Sequence, residues 1–91
     1  MKIKESFVLS ELGGQWVLLP VGEAAASGKM LTLNKTGAFL IEQLRQPTNR
    51  EALVEALLSR YAVEPSIAQR DVDKLLSALA AANALEENSQ N

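Results

Sequence analysis

The sequence contains no cysteine and no histidine among its 91 residues. Without cysteine the chain forms no disulfides, and without both residue types the usual zinc-ligand sets are excluded. The missing histidine also removes the commonest general acid/base and the histidine-activated nucleophile pairs. No two acidic residues have a spacing that suggests a buried acid and base. We therefore expect a protein without catalytic residues, without a bound metal and without a cofactor.

Long apolar runs and strong charge are also missing. The longest apolar stretch, residues 16–21, contains a proline and is far shorter than the ~20 residues that span a membrane. No basic segment followed by an apolar run marks a signal peptide at the N-terminus, so we expect a cytoplasmic protein. The net charge is −2 and the nine basic residues are scattered, which disfavours binding to nucleic acid.

The remaining composition is 47% hydrophobic, which is ordinary for one folded domain. The first part of the chain has the alternation of a β-strand, with Ile3, Phe7 and Leu9 apolar between polar residues. Residues 15–21 are rich in β-forming side chains, and the glycine pair at 13–14 predicts a tight turn before them. We therefore expect two antiparallel strands joined by a hairpin.

A loop, a short third strand and a helix come next. The loop is expected over residues 22–28 and the strand over residues 29–33. Asn34 predicts the N-cap of a helix over residues 35–45, because its side chain can accept from the free amides of the first turn. Gly37 lowers the helix propensity there, so we expect close packing that leaves no room for a side chain.

Two further helices are predicted after residue 47. Thr48 and Glu51 have the spacing of a capping box, which predicts the start of the second helix. Pro65 is suited to the first position of the third helix. Asn83 can adopt the left-handed conformation that ends a helix, and Leu85 is then expected to fold back onto the domain.

The apolar residues of all three helices recur at helical spacing, which predicts their inward faces. These residues are Phe39, Leu40, Ile41, Leu44, Leu53, Val54, Leu57, Leu58, Tyr61, Ala68, Val72, Leu75, Leu76 and Leu79. The predicted order is therefore β-β-β-α-α-α: an α+β domain with a three-stranded antiparallel sheet followed by three helices. We expect this domain over residues 1–85 and a flexible polar tail over residues 86–91.

Several segments together resemble the PqqD family, the coenzyme PQQ synthesis protein D family. LTLNKTGAF at residues 31–39 is similar to that family's strand-to-helix junction. TNREAL at residues 48–53 resembles the start of its second helix, and YAVEP at residues 61–65 resembles its linker before the third. The resemblance extends over about residues 3–85, and the order and spacing of the motifs make it fairly specific.

The resemblance implies a winged helix–turn–helix fold and a role in peptide binding. Members of the family are also called RiPP precursor peptide recognition elements, and they bind the leader segment of a precursor peptide. The leader is implied to add a strand beside the third strand, in a groove closed by the third helix. The domain would then present the peptide to a modifying enzyme, often a radical SAM maturase, and have no catalytic activity or cofactor of its own.

The candidate peptide-binding site combines the third strand with one flank of the third helix. Alternation places Met30 and Thr32 on one face of the strand. The helix flank beside the apolar stripe is partly apolar and partly charged, as a peptide groove requires. The candidate residues are Lys29, Met30, Leu31, Thr32, Leu33, Ile67, Arg70, Asp71, Lys74 and Ala78. The same pattern also fits an ordinary core strand and a solvated helix face.

Two other functions fit the same fold. A DNA-binding regulator would use the third helix for recognition, but Asp71 and Asp73 on that helix weigh against it. An adaptor subunit would dock its sheet edge on a larger enzyme. The partners we expect are a leader segment and a maturase, with no nucleic acid and no membrane. An open strand edge also permits pairing between two copies, so a homodimer is a further expectation.

Overall fold

The computed structural model describes residues 1–26 and 28–86 of the chain. The three strands of the sheet precede the three α-helices, as predicted from the sequence. A short strand near each end and a 3₁₀-helix within the predicted loop are additional. In chain order the elements are β1 (Lys2–Ile3), β2 (Phe7–Leu12), β3 (Gln15–Pro20), a 3₁₀-helix (Gly22–Ala26), β4 (Leu31–Leu33), α1 (Lys35–Gln43), α2 (Arg50–Arg60), α3 (Pro65–Ala81) and β5 (Leu85–Glu86).

The main sheet has three antiparallel strands in the order β2-β3-β4, so β3 lies in the centre. A two-residue turn joins β2 to β3, and both of its glycines have positive φ, 58° at Gly13 and 82° at Gly14. Positive φ at both positions is typical of the hairpin turn whose twist matches the flanking strands. The turn aligns Leu12 with Gln15. The predicted α+β class and its winged-helix arrangement are confirmed.

The first predicted strand is in fact two strands that belong to different sheets. Ile3 lies in β1, which pairs with β5 through Ile3 and Leu85 in a separate two-stranded ladder. Asn83 has a φ of 59°, which ends α3 and turns the chain back, so the predicted return of Leu85 is confirmed. Glu86, the first residue of the predicted tail, pairs with Lys2, and the rest of that tail, residues 87–91, lies outside the described residues.

The N-cap predicted for α1 is confirmed. The Asn34 Oδ1 atom accepts a hydrogen bond from the Gly37 amide at 2.7 Å and another from the Thr36 hydroxyl at 3.1 Å. A Cβ atom on Gly37 would lie 3.1 Å from that same Oδ1 and 3.4 Å from a methyl carbon of Leu33. Gly37 is therefore explained by the close approach of the cap and β4 to the first turn of the helix.

The capping box predicted for α2 is wrong, and the cap lies one residue later. The Asn49 Oδ1 atom accepts from the Ala52 amide at 2.8 Å. The Thr48 backbone instead holds the N-terminus: its N–H donates to the Met1 carbonyl at 2.8 Å, and its own carbonyl accepts from the Met1 amino group at 2.8 Å. Pro65 starts α3 as predicted, with Glu64 before it making no side-chain cap.

The core lies between one face of the sheet and the three helices. Its largest fully buried side chains are Leu18, Leu40, Leu44, Leu53, Leu57, Val72 and Leu79. Each such residue contributes about 1.5–3 kcal/mol to folding by leaving water. The predicted inward faces of the helices are confirmed, although Phe39, Leu58, Tyr61, Leu75 and Leu76 are only partly buried against this core.

Candidate functional site

In the described part of the chain, no strand pairs with the outer edge of the main sheet at β4. The hydrogen bond from the Val21 amide to the Ser6 carbonyl, 2.8 Å, identifies which pairs of the β2–β3 ladder are bonded. Bonded and non-bonded pairs alternate in an antiparallel ladder, so every second residue of β3 bonds toward β4. Leu31 and Leu33 therefore use their backbone groups against β3. The N–H and C=O of Thr32 point away from the sheet.

A cleft of about 230 Å³ runs between this edge and α3. It is built from three elements that meet there: β4, the first turn of α1 that follows it after one residue, and the middle of α3. The residues that line it are Leu31, Thr32, Leu33, Asn34, Thr36, Gly37, Leu40, Asp71, Lys74, Leu75 and Ala78.

The floor of this β4–α3 cleft is apolar, whereas its rim carries one charge of each sign. Leu33 and Leu40 are buried, and Leu75 packs against the same core. Asp71 is partly exposed and Lys74 is exposed, so the two ionised groups keep contact with water. The lining has no net charge. Such a cleft can bind an extended segment through backbone pairing, apolar side chains and a few charged contacts.

The ion pair between Arg50 and Asp73 holds α3 from its other side. Arg50 donates from Nε to Oδ1 at 2.5 Å and from Nη2 to Oδ2 at 2.9 Å. The hydrogen bond to Arg50 lowers the pKa of the Asp73 carboxyl, and the same bond raises the pKa of Arg50. With Asp73 directed at the start of α2, the flank that contains Asp71 and Lys74 is left facing β4.

Six of the ten residues predicted for the site line this cleft. They are Leu31, Thr32, Leu33, Asp71, Lys74 and Ala78. The other four, Lys29, Met30, Ile67 and Arg70, do not line it. Met30 precedes the start of β4 and is 56% exposed, and Ile67 lies one turn before Asp71 on α3.

The first turn of α1 is the part of the cleft that the sequence-based prediction missed. Asn34, Thr36, Gly37 and Leu40 all line it, as does Leu75 from α3. A signal for this was present, because only Asn34 separates β4 from α1. A helix that starts one residue after an edge strand must begin beside that edge.

Within residues 1–26 and 28–86, no group of three or more acidic residues is placed to hold a metal ion. In the same part of the chain, no helix combines the length and apolar composition needed to cross a membrane.

The fold and the cleft define a small winged-helix-like domain with one sheet edge open beside its third helix. The chain belongs to the PqqD family, since the family described as "Coenzyme PQQ synthesis protein D (PqqD)" matches residues 15–85. A search of the curated proteins gives no match.

Two solved structures are similar to the chain over most of its length. One is described as "TbiB1 in Complex with the TbiA(beta) Leader Peptide"; it is 27% identical, has a TM-score of 0.74, and the match covers 99% of this chain and 100% of that one. The other is described as "Lasso peptide synthetase B1 complexed with the leader peptide"; it is 25% identical, has a TM-score of 0.67, and the match covers 88% and 89%.

Proposed function

We propose that this domain binds the leader segment of a precursor peptide and presents it to a modifying enzyme, without catalysing a reaction itself. The observation that carries the proposal is the unpaired Thr32 edge of β4, which faces Asp71, Lys74 and Ala78 of α3 across an apolar floor. Both similar solved structures contain a leader peptide, which supports the same class of ligand here.

Backbone pairing at β4 supplies only part of the affinity. The outward N–H and C=O of Thr32 offer two hydrogen bonds, each worth about 0.5–1.5 kcal/mol net. A micromolar complex requires about 8 kcal/mol. The larger part must therefore come from leader side chains on the apolar floor at Leu33, Leu40 and Leu75. Specificity would follow from the shape of that floor, and pairing at Thr32 would set the register of the leader.

The second partner that we propose is the enzyme that modifies the precursor. The resemblance described in the sequence analysis implies a radical SAM maturase, whereas the second similar structure, described as a lasso peptide synthetase B1, suggests an enzyme of lasso-peptide synthesis. In either case the leader would lie along β4, and the remainder of the precursor would extend beyond the cleft toward the enzyme.

The test needs the precursor peptide, which we expect to be encoded near this protein's gene. Its fluorescently labelled leader is titrated against the wild type and Thr32→Pro. Proline is tolerated where a strand N–H faces outward, and it removes that donor. We expect Thr32→Pro to weaken binding by about tenfold, because about 1.4 kcal/mol is lost. Thr32→Val is the matched control, since it keeps the N–H and the β-branched shape.

The fold of each variant is checked by its amide NMR spectrum. Equal affinity of the wild type and Thr32→Pro, with both folded, would contradict strand addition at β4. A salt-dependent interaction with duplex DNA and none with the leader would favour the regulator alternative.

A further inference from the structure

Among residues 1–26 and 28–86, no strand pairs with the opposite edge of the main sheet, at β2. The same alternation of bonded pairs directs the backbone N–H and C=O groups of Val8, Ser10 and Leu12 toward β3. The backbone groups of Leu9 and Glu11 therefore point away from the sheet, as does the carbonyl of Phe7. The Phe7 N–H is already bonded to the Lys4 carbonyl at 3.1 Å. At six residues, this edge strand is twice as long as β4.

A second cleft, of about 300 Å³, lies along this edge. One wall is β2, and the other is formed by β1 with the C-terminal end of α1. Its lining residues are Lys2, Ile3, Lys4, Glu5, Phe7, Val8, Leu9, Leu18, Ile41 and Arg45. Ile3, Phe7, Leu18 and Ile41 are buried members of the core, so the floor of this β1–β2 cleft is apolar.

The rim of the β1–β2 cleft is basic, although the chain as a whole is acidic. The lining residues include three bases (Lys2, Lys4 and Arg45) and one acid (Glu5), a net charge of +2 against −2 for the whole chain. Outside the lining, Glu42 pairs with Arg45 and Glu86 lies opposite Lys2. The β4–α3 cleft has one charge of each sign and no such excess. The two clefts therefore favour ligands of different charge.

The basic groups of the rim are not committed to buried partners. The Lys4 ammonium donates to the Asn83 amide oxygen at 2.9 Å, which is a neutral acceptor and not a carboxylate. Arg45 pairs with Glu42 at 2.8 Å, but both side chains are more than half exposed. Exposed ion pairs of this kind contribute little to stability, so replacing Glu42 by a carboxylate of a ligand would cost little.

We propose that the β1–β2 cleft binds an acidic, extended segment of a protein partner, which adds to β2 as a fourth strand of the sheet. The apolar floor would accept alternate side chains of the segment, and carboxylates between them would meet Lys2, Lys4 and Arg45. β3 separates the two edge strands, which lie about 10 Å apart at ordinary strand spacing. Both edges can therefore be occupied at once, so the domain can connect two partners.

The first test uses the ¹⁵N-labelled full chain and two acetylated seven-residue peptides. One alternates glutamate with valine, and the matched one alternates lysine with valine. We expect the glutamate peptide to shift the amide resonances of Leu9 and Glu11, and to bind at least tenfold more tightly than the lysine peptide. Equal binding of both peptides, no binding of either, or shifts confined to Thr32 would overturn the proposal.

The second test removes the basic rim. Lys2→Gln combined with Arg45→Gln should weaken binding of the glutamate peptide about tenfold. Lys35→Gln combined with Arg70→Gln removes the same amount of charge from outside the β1–β2 cleft. This double variant should change the affinity for the glutamate peptide by less than twofold. Similar losses in both double variants would mean that only net charge matters, and the cleft would have no specific role.

Two measurements separate this proposal from its alternatives. The leader affinity of the Lys2 and Arg45 double variant should remain within twofold of the wild type, because the leader is proposed to use the other edge. Shifts at Leu9 that depend on protein concentration without any peptide would mean that a second copy of the chain occupies β2, which would overturn the proposed occupant.

Discussion

Arg50, the first residue of α2, donates two hydrogen bonds to the carboxylate of Asp73 on α3, at 2.5 Å and 2.9 Å. The pair joins residues 23 positions apart in the chain. It contacts α3 on the flank opposite Asp71, which lines the β4–α3 cleft. The rotation of α3 decides which side chains meet β4, and this pair contacts α3 outside the cleft.

The contribution of this ion pair to stability should depend on pH. The hydrogen bond from Arg50 lowers the pKa of Asp73 below its ordinary value of 3.8. A carboxyl with a lowered folded-state pKa stabilises the protein above the unfolded pKa, and this contribution is lost as the pH falls through the folded value. Asp73→Asn should therefore unfold at a lower temperature than the wild type at about pH 6, and this gap should narrow below about pH 4.

Thermal unfolding followed by circular dichroism at a series of pH values measures this gap. The exposed side chain of Glu55 on α2 provides the control, since Glu55→Gln should leave the unfolding temperature nearly unchanged. A gap for Asp73→Asn that stays constant down to the lowest pH would mean that the charge of Asp73 is not responsible.

Asn49 should matter more to stability than its neighbour Thr48. Asn49→Ala removes the side-chain acceptor of the Ala52 amide and should cost about 1 kcal/mol of the free energy of unfolding. Thr48→Ala leaves the two backbone hydrogen bonds to Met1 intact and should cost less than about 0.5 kcal/mol. Urea unfolding measures the free energy of unfolding of both variants. A larger loss for Thr48→Ala than for Asn49→Ala would support the capping box at Thr48 and Glu51 instead.

A large side chain at Ala78 should close the β4–α3 cleft. Ala78→Trp places an indole among Leu31, Leu75 and the other lining residues, and we expect leader affinity to fall by more than tenfold. Ala80→Trp makes the same change on an exposed face of α3, so leader affinity should stay within twofold of the wild type. The labelled-leader titration measures the affinity of both variants. Equal leader affinities of Ala78→Trp and Ala80→Trp would mean that the leader does not bind in the cleft.

The charges on the cleft rim should tune leader affinity without supporting the fold. Neither Asp71 nor Lys74 is fully buried, so Asp71→Asn and Lys74→Gln should leave the unfolding temperature close to that of the wild type. Each should change leader affinity by about three- to tenfold if a leader charge is met there, equal to about 0.6–1.4 kcal/mol. At high salt, the difference in leader affinity between the wild type and each variant should become smaller, because salt screens exposed charges.

Local sequence was sufficient for most of the element order. The glycines at 13 and 14 mark the hairpin because both positions require positive φ. Asn34 and Gly37 mark the junction of β4 and α1 because a cap and a close approach each involve only residues a few positions apart. The α2 cap was mispredicted by one residue since Thr48 and Asn49 are both good caps, and only the pairing of the Thr48 backbone with Met1 decided between them.

The sequence by itself thus determined the α+β class, the position of β4, the charged flank of α3 and the resemblance to a peptide-binding family. Only the tertiary structure decided that Ile3 pairs with Leu85, that Arg50 holds Asp73, and that a second open edge lies beside a basic rim. Each of those features joins residues far apart in the chain. Their distances depend on how the sheet and the helices pack, and periodicity along the sequence does not contain that information.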